Sequence, residues 1–188
     1  MEGSDREWLT RLRPYWKDDA RAAGTVTSGV TTVDRRVDQN GAMAVTFTQE
    51  YRAQWRDMDF NQHMSNSAFL DYASNTRILF FDSVGFTGRR FAELRIGPVV
   101  LEDRLVYRRE VRLLEGFAVD FQTVALSPDG RRFKVRNRFT TESQGLCATV
   151  ESVGLWFDLA ERRPIVPPSD LQAAFLSLER ADDFEDWA

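Results

Sequence analysis

The chain has little of what many chemistries require. Its 188 residues hold one cysteine, Cys147, and one histidine, His63. A single cysteine excludes an internal disulfide and a cysteine-based zinc cluster, and a single histidine excludes a multi-histidine metal site within one chain. Cysteine this scarce suits a reducing compartment, so the expected location is the cytoplasm. There are two lysines, Lys17 and Lys134, among 25 basic residues, which leaves lysine-based catalysis few candidates. No apolar run approaches the ~20 residues of a membrane span, and the N-terminus MEGSDREWLTRL lacks the apolar core of a secretory signal. Basic charge is not in excess. Twenty-five basic against 29 acidic residues give a net charge of −4, a poor footprint for nucleic-acid binding. No membrane or nucleic-acid partner and no cofactor are expected.

What is present suits one domain with segments to spare. Residues 1–41 read as an N-terminal extension. Trp8, Leu9, Leu12, Tyr15 and Trp16 recur at helical spacing, Pro14 interrupts them, and Asn40-Gly41 marks a turn. Alternation then predicts a strand from Ala42 to about Trp55. After a polar stretch, Phe69, Tyr72, Ala73, Thr76, Phe80 and Val84 form one stripe of a helix over residues 66–84. Leu70, Ile78, Leu79 and Phe81 widen the stripe, so much of the helix must be covered. Ser65 or Asn66 caps its start and Gly85 its end. Arg89, Arg90 and Arg95 follow in a basic loop.

Strands come next, over 97–114, 117–126, 132–141 and 146–159. Ser127-Pro128-Asp129-Gly130 suits a type I turn with Gly130 left-handed. The implied register pairs Ser127 with Arg131, Asp120 with Arg138, Gln122 with Arg136 and Val119 with Phe139. Arg132, Lys134, Arg136 and Arg138 share one strand face, either for phosphates or as a solvated face balanced by Asp120 and Glu142. Cys147 reads as core. Ser169 to Gln172 resembles a capping box opening a short helix through Leu178, and the acidic end frays unless Phe184 and Trp187 dock it. One long apolar helix followed by a strand meander predicts an α+β fold, a curved antiparallel sheet around that helix.

The densest polar cluster is Trp55-Arg56-Asp57-Met58-Asp59-Phe60-Asn61-Gln62-His63-Met64-Ser65-Asn66. It places carboxylates, an amide and the sole histidine at a helix start. Helix N–H groups polarise a carbonyl, a carboxylate acts as nucleophile or base, and histidine relays protons near neutral pH. The same residue types also cap helices without any chemistry, and the residues alone leave both readings open.

The string Asp59-Phe60-Asn61-Gln62-His63-Met64-Ser65-Asn66, followed by Phe69 and Tyr72, resembles the motif of hotdog-fold acyl thioesterases. It is similar to the D-x-N-x-H-x-x-N signature of plant fatty acyl carrier-protein thioesterases and to bacterial acyl-CoA thioesterases related to 4-hydroxybenzoyl-CoA thioesterase. Tyr107-Arg108-Arg109-Glu110 resembles the Y-R-R-E strand of the plant enzymes, although Val111 stands where they have cysteine and the interval from Asp59 is longer.

The resemblance covers residues 42–165 and implies a single hotdog, with 166–188 as a C-terminal helix and tail. It implies hydrolysis of an acyl thioester, acyl-CoA or acyl carrier protein, at a site between two protomers of a homodimer or a dimer of dimers. Asp59 becomes the nucleophile or base, with His63 and Asn61 as catalytic or positioning residues. Glu110 is a second carboxylate, or else an exposed residue paired with Arg108 or Arg112. Ser65 and Asn66 form the oxyanion-binding helix start, Phe69, Tyr72, Arg89 and Arg90 meet substrate, and Asp57 is structural. No metal is implied. A hotdog hydratase or dehydratase and a non-catalytic acyl-CoA-binding module are the alternatives. The spacing Asp59-x-Asn61-x-His63 argues against the first.

Overall fold

The structure is a computed structural model that describes residues 29–37 and 43–187. The helical pattern of Trp8 to Trp16 and the Asn40-Gly41 turn lie outside the described residues. In chain order the elements are β1 (Thr31–Val37), β2 (Met43–Arg52), a 3-10 turn (Trp55–Asp57), α1 (Asn66–Ser83), α2 (Gly88–Leu94) and β3 (Ile96–Tyr107). They continue with β4 (Gly116–Leu126), β5 (Arg132–Thr141), β6 (Gly145–Asp158), β7 (Arg163–Pro164), α3 (Ser169–Leu176) and β8 (Arg180–Asp186).

The strands form one sheet in the order β1-β2-β4-β5-β6-β3, with β7 on β6 and β8 on β4. The chain leaves β2, runs through α1 across the inner face, and returns as β3 at the opposite edge. This is the hotdog arrangement, a curved, mostly antiparallel sheet wrapped around one helix, of the α+β class.

Alternation explains which face turns inward. On β5, Phe133, Val135, Asn137, Phe139 and Thr141 are buried, while Lys134, Arg136 and Arg138 face outward. α1 buries Ala68, Phe69, Ala73, Thr76, Phe80 and Phe81. Ser65 caps it by accepting the Ala68 N–H at 3.4 Å, and Gly85 ends it at φ 87°. Ile78 departs from expectation. It is 64% exposed, because the stripe that meets the sheet is narrower than the apolar run on the helix.

The core divides into two clusters. One gathers Met64, Phe69, Phe117, Val119, Phe139 and Val150 around the first turns of α1. The other gathers Phe80, Phe81, Phe121, Phe133, Trp156 and Phe175 around its last turns. Gly154 belongs to this packing, since a Cβ there would meet the Phe133 ring at 2.7 Å and the Val99 carbonyl at 2.8 Å.

Five expectations are corrected. First, residues 31–37 lie within the stretch read as an extension, yet they form edge strand β1 against β2, with Val33 opposite Phe47. Second, Arg89 and Arg90 are on helix α2, capped by the Thr87 side chain. Third, Ser127 faces Arg132 rather than Arg131. The Ser127 hydroxyl captures the Arg132 N–H at 2.9 Å, and a bulge between Thr123 and Ala125 absorbs the extra residue, so Val119 still faces Phe139 and Gln122 faces Arg136. Fourth, α3 has Pro168 at its cap position and no side-chain cap, with Ser169 already helical.

Fifth, the acidic end is a strand. Ser177 to Glu179 wedge between β2 and β4, with the Val45 N–H donating to Ser177, the Glu179 N–H to Val45, and the Thr123 N–H to Glu179. β8 then runs parallel to β4, and Phe184 packs on the second cluster.

Phe80 is fully buried and meets the rings of Phe47, Phe81 and Phe121 edge-on. Phe80→Ala is expected to destabilise the fold by about 3–5 kcal/mol, read as a lower denaturation midpoint at unchanged slope.

Candidate active site

The site begins where β2 ends. Tight turns bring the chain back on itself, and the first of them holds a buried carboxylate. Asp57 is 7% exposed. Its Oδ2 accepts the Gln54 N–H at 2.8 Å and the Tyr72 hydroxyl at 2.7 Å. Its backbone carbonyl accepts the Ser65 N–H at 2.7 Å. A buried carboxylate requires such donors, so Asp57 is committed to the fold. Burial, reinforced by the Asp57 carboxylate, pushes the Tyr72 phenol well above its ordinary value.

Two residues on, Asp59 is exposed. Its Oδ1 accepts the N–H groups of Asn61 at 2.8 Å and His63 at 3.2 Å. Its own N–H donates to the His63 carbonyl at 2.8 Å, and the loop closes through Gln62 at φ 65°. This leaves Oδ2 uncommitted among the described residues. The Asn61 side chain is exposed.

The segment after β3 meets this loop. Met64 donates to the Val111 carbonyl at 2.9 Å, and His63 pairs with Arg112 across a bridge. Val111 fills the position at which the sequence departs from the plant motif, and it is fully buried. Glu110 lies beyond the end of β3, in the same chain as the helix start it adjoins. Its carboxylate accepts Arg112 Nη2 at 2.7 Å and lies 3.9 Å from His63 Nε2. Arg112, and then His63, hold the Glu110 carboxyl below the ordinary carboxylate range. Ser65 caps α1, and the N–H groups of Asn66 and Ser67 precede the first intrahelical bond, so they point outward as donors. The structure thus gathers Asp59, His63, Glu110 and a helix N-terminus around one exposed loop. Groups of these types can supply a carboxylate, a proton relay and N–H donors to an oxyanion.

A family model described as the thioesterase-like superfamily matches residues 53–175. The chain belongs to this superfamily. Solved structures share the fold. A 1,4-dihydroxy-2-naphthoyl-CoA thioesterase from Synechocystis is 17% identical, with a TM-score of 0.64, over 71% of this chain and 97% of that one. A protein from Staphylococcus aureus, solved in complex with coenzyme A, is 20% identical, with a TM-score of 0.64, over 72% and 87%.

Within this thioesterase-like domain the other candidates are placed apart. Phe69 is 3% exposed and packs on Phe139 and Tyr107. Tyr72 spends its hydroxyl on Asp57. Arg89 pairs with Glu93 one helical turn away, and Arg90 pairs with Asp170 and covers the Phe86 ring. No described contact joins either arginine to the Asp59 loop.

On the basic stripe of β5, Arg132 stacks over the Trp187 ring and the other three cations are paired, with Asp120 as expected and the remaining partners different. Arg138 pairs with Asp120, while Arg136 takes Glu151 and Asp183 and Lys134 takes Glu151, in place of Glu142. Cys147 is buried core. Arg108, a possible partner for Glu110 on sequence, does not pair with it; with Arg104, which sequence reasoning passed over, it lines a cleft on the outer face, and neither has a carboxylate partner among the described residues. Sequence reasoning also passed over Arg77, half-buried on α1 with its Nη2 out of solvent. Arg77 gave no signal, because a charged residue on a helix ordinarily faces solvent.

Tyr72→Phe is expected to lower stability at neutral pH by about 1–3 kcal/mol by stripping one donor from buried Asp57. The neutral phenol is the form the fold holds, so its contribution is full below its ordinary value of about 10 and is lost as pH rises further. The loss of stability above pH ~10 should therefore be shallower in Tyr72→Phe than in the parent, Tyr51 and Tyr107 supplying the remainder. Denaturant titrations at neutral and alkaline pH check both points.

Proposed function

We propose that the protein hydrolyses acyl-CoA thioesters to a free carboxylic acid and coenzyme A. The observation that carries this reading is the juxtaposition of Asp59, His63 and Glu110 with the N-terminus of α1, in a thioesterase-like domain. The thioester carbonyl oxygen lies against the N–H groups of Asn66 and Ser67. The free oxygen of Asp59 removes a proton from water, whose oxygen forms the new bond to the carbonyl carbon. The C–S bond then breaks, and the thiolate leaves with that proton. His63, oriented by Glu110, serves the proton transfer, and Asn61 positions the water. Direct attack by Asp59, followed by hydrolysis of the anhydride, gives the same products.

Coenzyme A is favoured over an acyl carrier protein by Arg104 and Arg108, which offer uncompensated charge to phosphates at the strand that leads to Glu110. The relative from Staphylococcus aureus was solved with coenzyme A bound. A homodimer completes the reading. β3 ends the sheet with an open edge, and its Val100, Leu101 and Tyr107 are 45, 58 and 51% exposed. A long apolar edge of this kind calls for a covering strand, and a second copy supplies one.

Thiol release from a panel of acyl-CoA thioesters tests the activity. Asp59→Asn should lower kcat by about 10²–10⁴-fold with KM little changed and the fold intact. Full activity in Asp59→Asn would remove the mechanism. Binding without thiol release on any chain length would favour a non-catalytic acyl-CoA-binding module. Sedimentation of Leu101→Arg checks the dimer, with a shift toward monomer as the expected result.

A further inference from the structure

The outer face of the sheet carries a row of alternating charge. Arg136 of β5 stands opposite Glu151 of β6, and Glu151 stands opposite Arg104 of β3. Around this row lies a cleft of about 380 Å³, whose cations are Arg104, Arg108, Arg136 and Arg138. Among the described residues Glu151 is the one carboxylate in its wall, and Asp120 holds Arg138 at 2.6 Å. A second hollow, of about 310 Å³, shares Arg104 and Glu151 with the first and is closed by Glu185 and Trp187. The acidic strand β8 therefore borders the cations to which the phosphates of coenzyme A are assigned.

β8 also reaches into the cleft. Against β4, Arg180 stands opposite Thr123 and Glu185 opposite Ala125, so residues 181–184 face Val124 alone and bulge from the ladder. Asp183 lies in this bulge and grips Arg136 with both oxygens. Its Oδ1 accepts Nη1 at 2.7 Å and its Oδ2 accepts Nη2 at 2.8 Å. Arg136 Nε donates instead to Glu151 Oε1 at 2.9 Å, and Nη1 has no partner but Asp183 among the described residues.

The two carboxylates on Arg136 are not equivalent. The Glu151 side chain is 14% exposed and also holds Lys134 at 2.8 Å. The Asp183 side chain is 63% exposed. Asp183 can therefore leave Arg136 without stranding a buried charge, whereas Glu151 cannot. A phosphate fits the same pair of N–H groups and brings more charge than a carboxylate. The neighbouring Asp182 is exposed and makes no ion pair among the described residues.

We propose that β8 is an internal competitor for this cleft: Asp183 occupies Arg136 until a phosphate of a bound ligand displaces it. The inference rests on the assignment of the cleft to coenzyme A phosphates and needs no hydrolysis. Its consequence is a threshold. A ligand without phosphate leaves Asp183 in place, and a phosphorylated one gains a further arginine at the cost of one exposed ion pair.

Calorimetric titration of the full chain with coenzyme A tests this. Arg104→Met should weaken binding at least about tenfold. Asp183→Asn should tighten it about three- to fivefold. Asp182→Asn removes the same charge one residue away and should not change it. The gain from Asp183→Asn should vanish in an Arg136→Met background, with Arg136→Gln serving if the methionine variant fails to fold. No binding by the parent protein, or binding that Arg104→Met leaves unchanged, overturns the phosphate assignment and the competitor with it. Weakening by Arg104→Met with no gain from Asp183→Asn overturns the competitor alone. So does a gain that Asp182→Asn equals or that survives the loss of Arg136.

Discussion

The rest of the molecule is organised around the burial of one carboxylate. Asp57 leaves water, and its charged oxygens must find donors nearby. Gln54 and Tyr72 provide them, one from the turn after β2 and one from the second turn of α1. The same residue's carbonyl takes the N–H of Ser65. Three bonds therefore fix where the strand ends, where the helix begins and how the helix is rotated over the sheet. With that rotation set, Phe69 and Ala73 meet the sheet below. Two residues along, Asp59 faces the opposite way, tied at one oxygen and open at the other. Two aspartates of one short motif have thus been given different surroundings, one committed to the fold and one, in the proposed reaction, used for chemistry.

The helix so placed divides the core rather than merely filling it. Between the cluster near the site and the cluster near α3 lies a belt of polar groups: Thr76 and Arg77 on α1, Asn137 on β5 and Ser152 on β6, the last bonded to Asp103 on β3. Such a belt is tolerable only where hydrogen bonds close it. They close it everywhere except at Arg77. Apolar side chains could have filled the belt at lower cost; what the polar groups add is a fixed geometry, Arg77 on α1 holding Asn137 on β5 and Asn137 holding the Asp120 carbonyl on β4.

Much of this could be read from the residues. Strong alternation in β5 gave its bounds to the residue. The α1 stripe named its buried face, whereas Asp57 was separated from Asp59 only through the family resemblance, which assigns the reactive carboxylate to Asp59. The misreadings have physical causes. β1 is polar, with Thr, Asp and Arg along an edge where one side of the strand is free, so it carries no hydrophobic period. β8 looked like a frayed acidic tail because its acids find cations only in three dimensions, Asp183 on Arg136 being the example. The bulge in β4 is a local remedy for a serine that bonds across the turn, and nothing in the pattern of apolar residues announces it. Arg77 looked like surface because sequence cannot show that a guanidinium has been turned toward a buried asparagine.

Glu110 is where motif and geometry must be weighed against each other. The motif offers it as a second catalytic carboxylate. Geometry gives it two suitors, Arg112 at 2.7 Å and His63 at 3.9 Å. A carboxylate bound this closely by a guanidinium stays ionised and is a reluctant proton acceptor, since taking a proton forfeits the ion pair. It is well suited to a different task. The bridge between His63 and Arg112 holds both partners to the same stretch of backbone, so the carboxylate lies between them and can orient the imidazole without leaving the arginine. Asp59 has the reverse character, with one oxygen pinned by backbone N–H groups and the other free to take a proton or to attack. In the proposed reaction the chemistry therefore passes through Asp59, and Glu110 acts through His63 as a positioning residue.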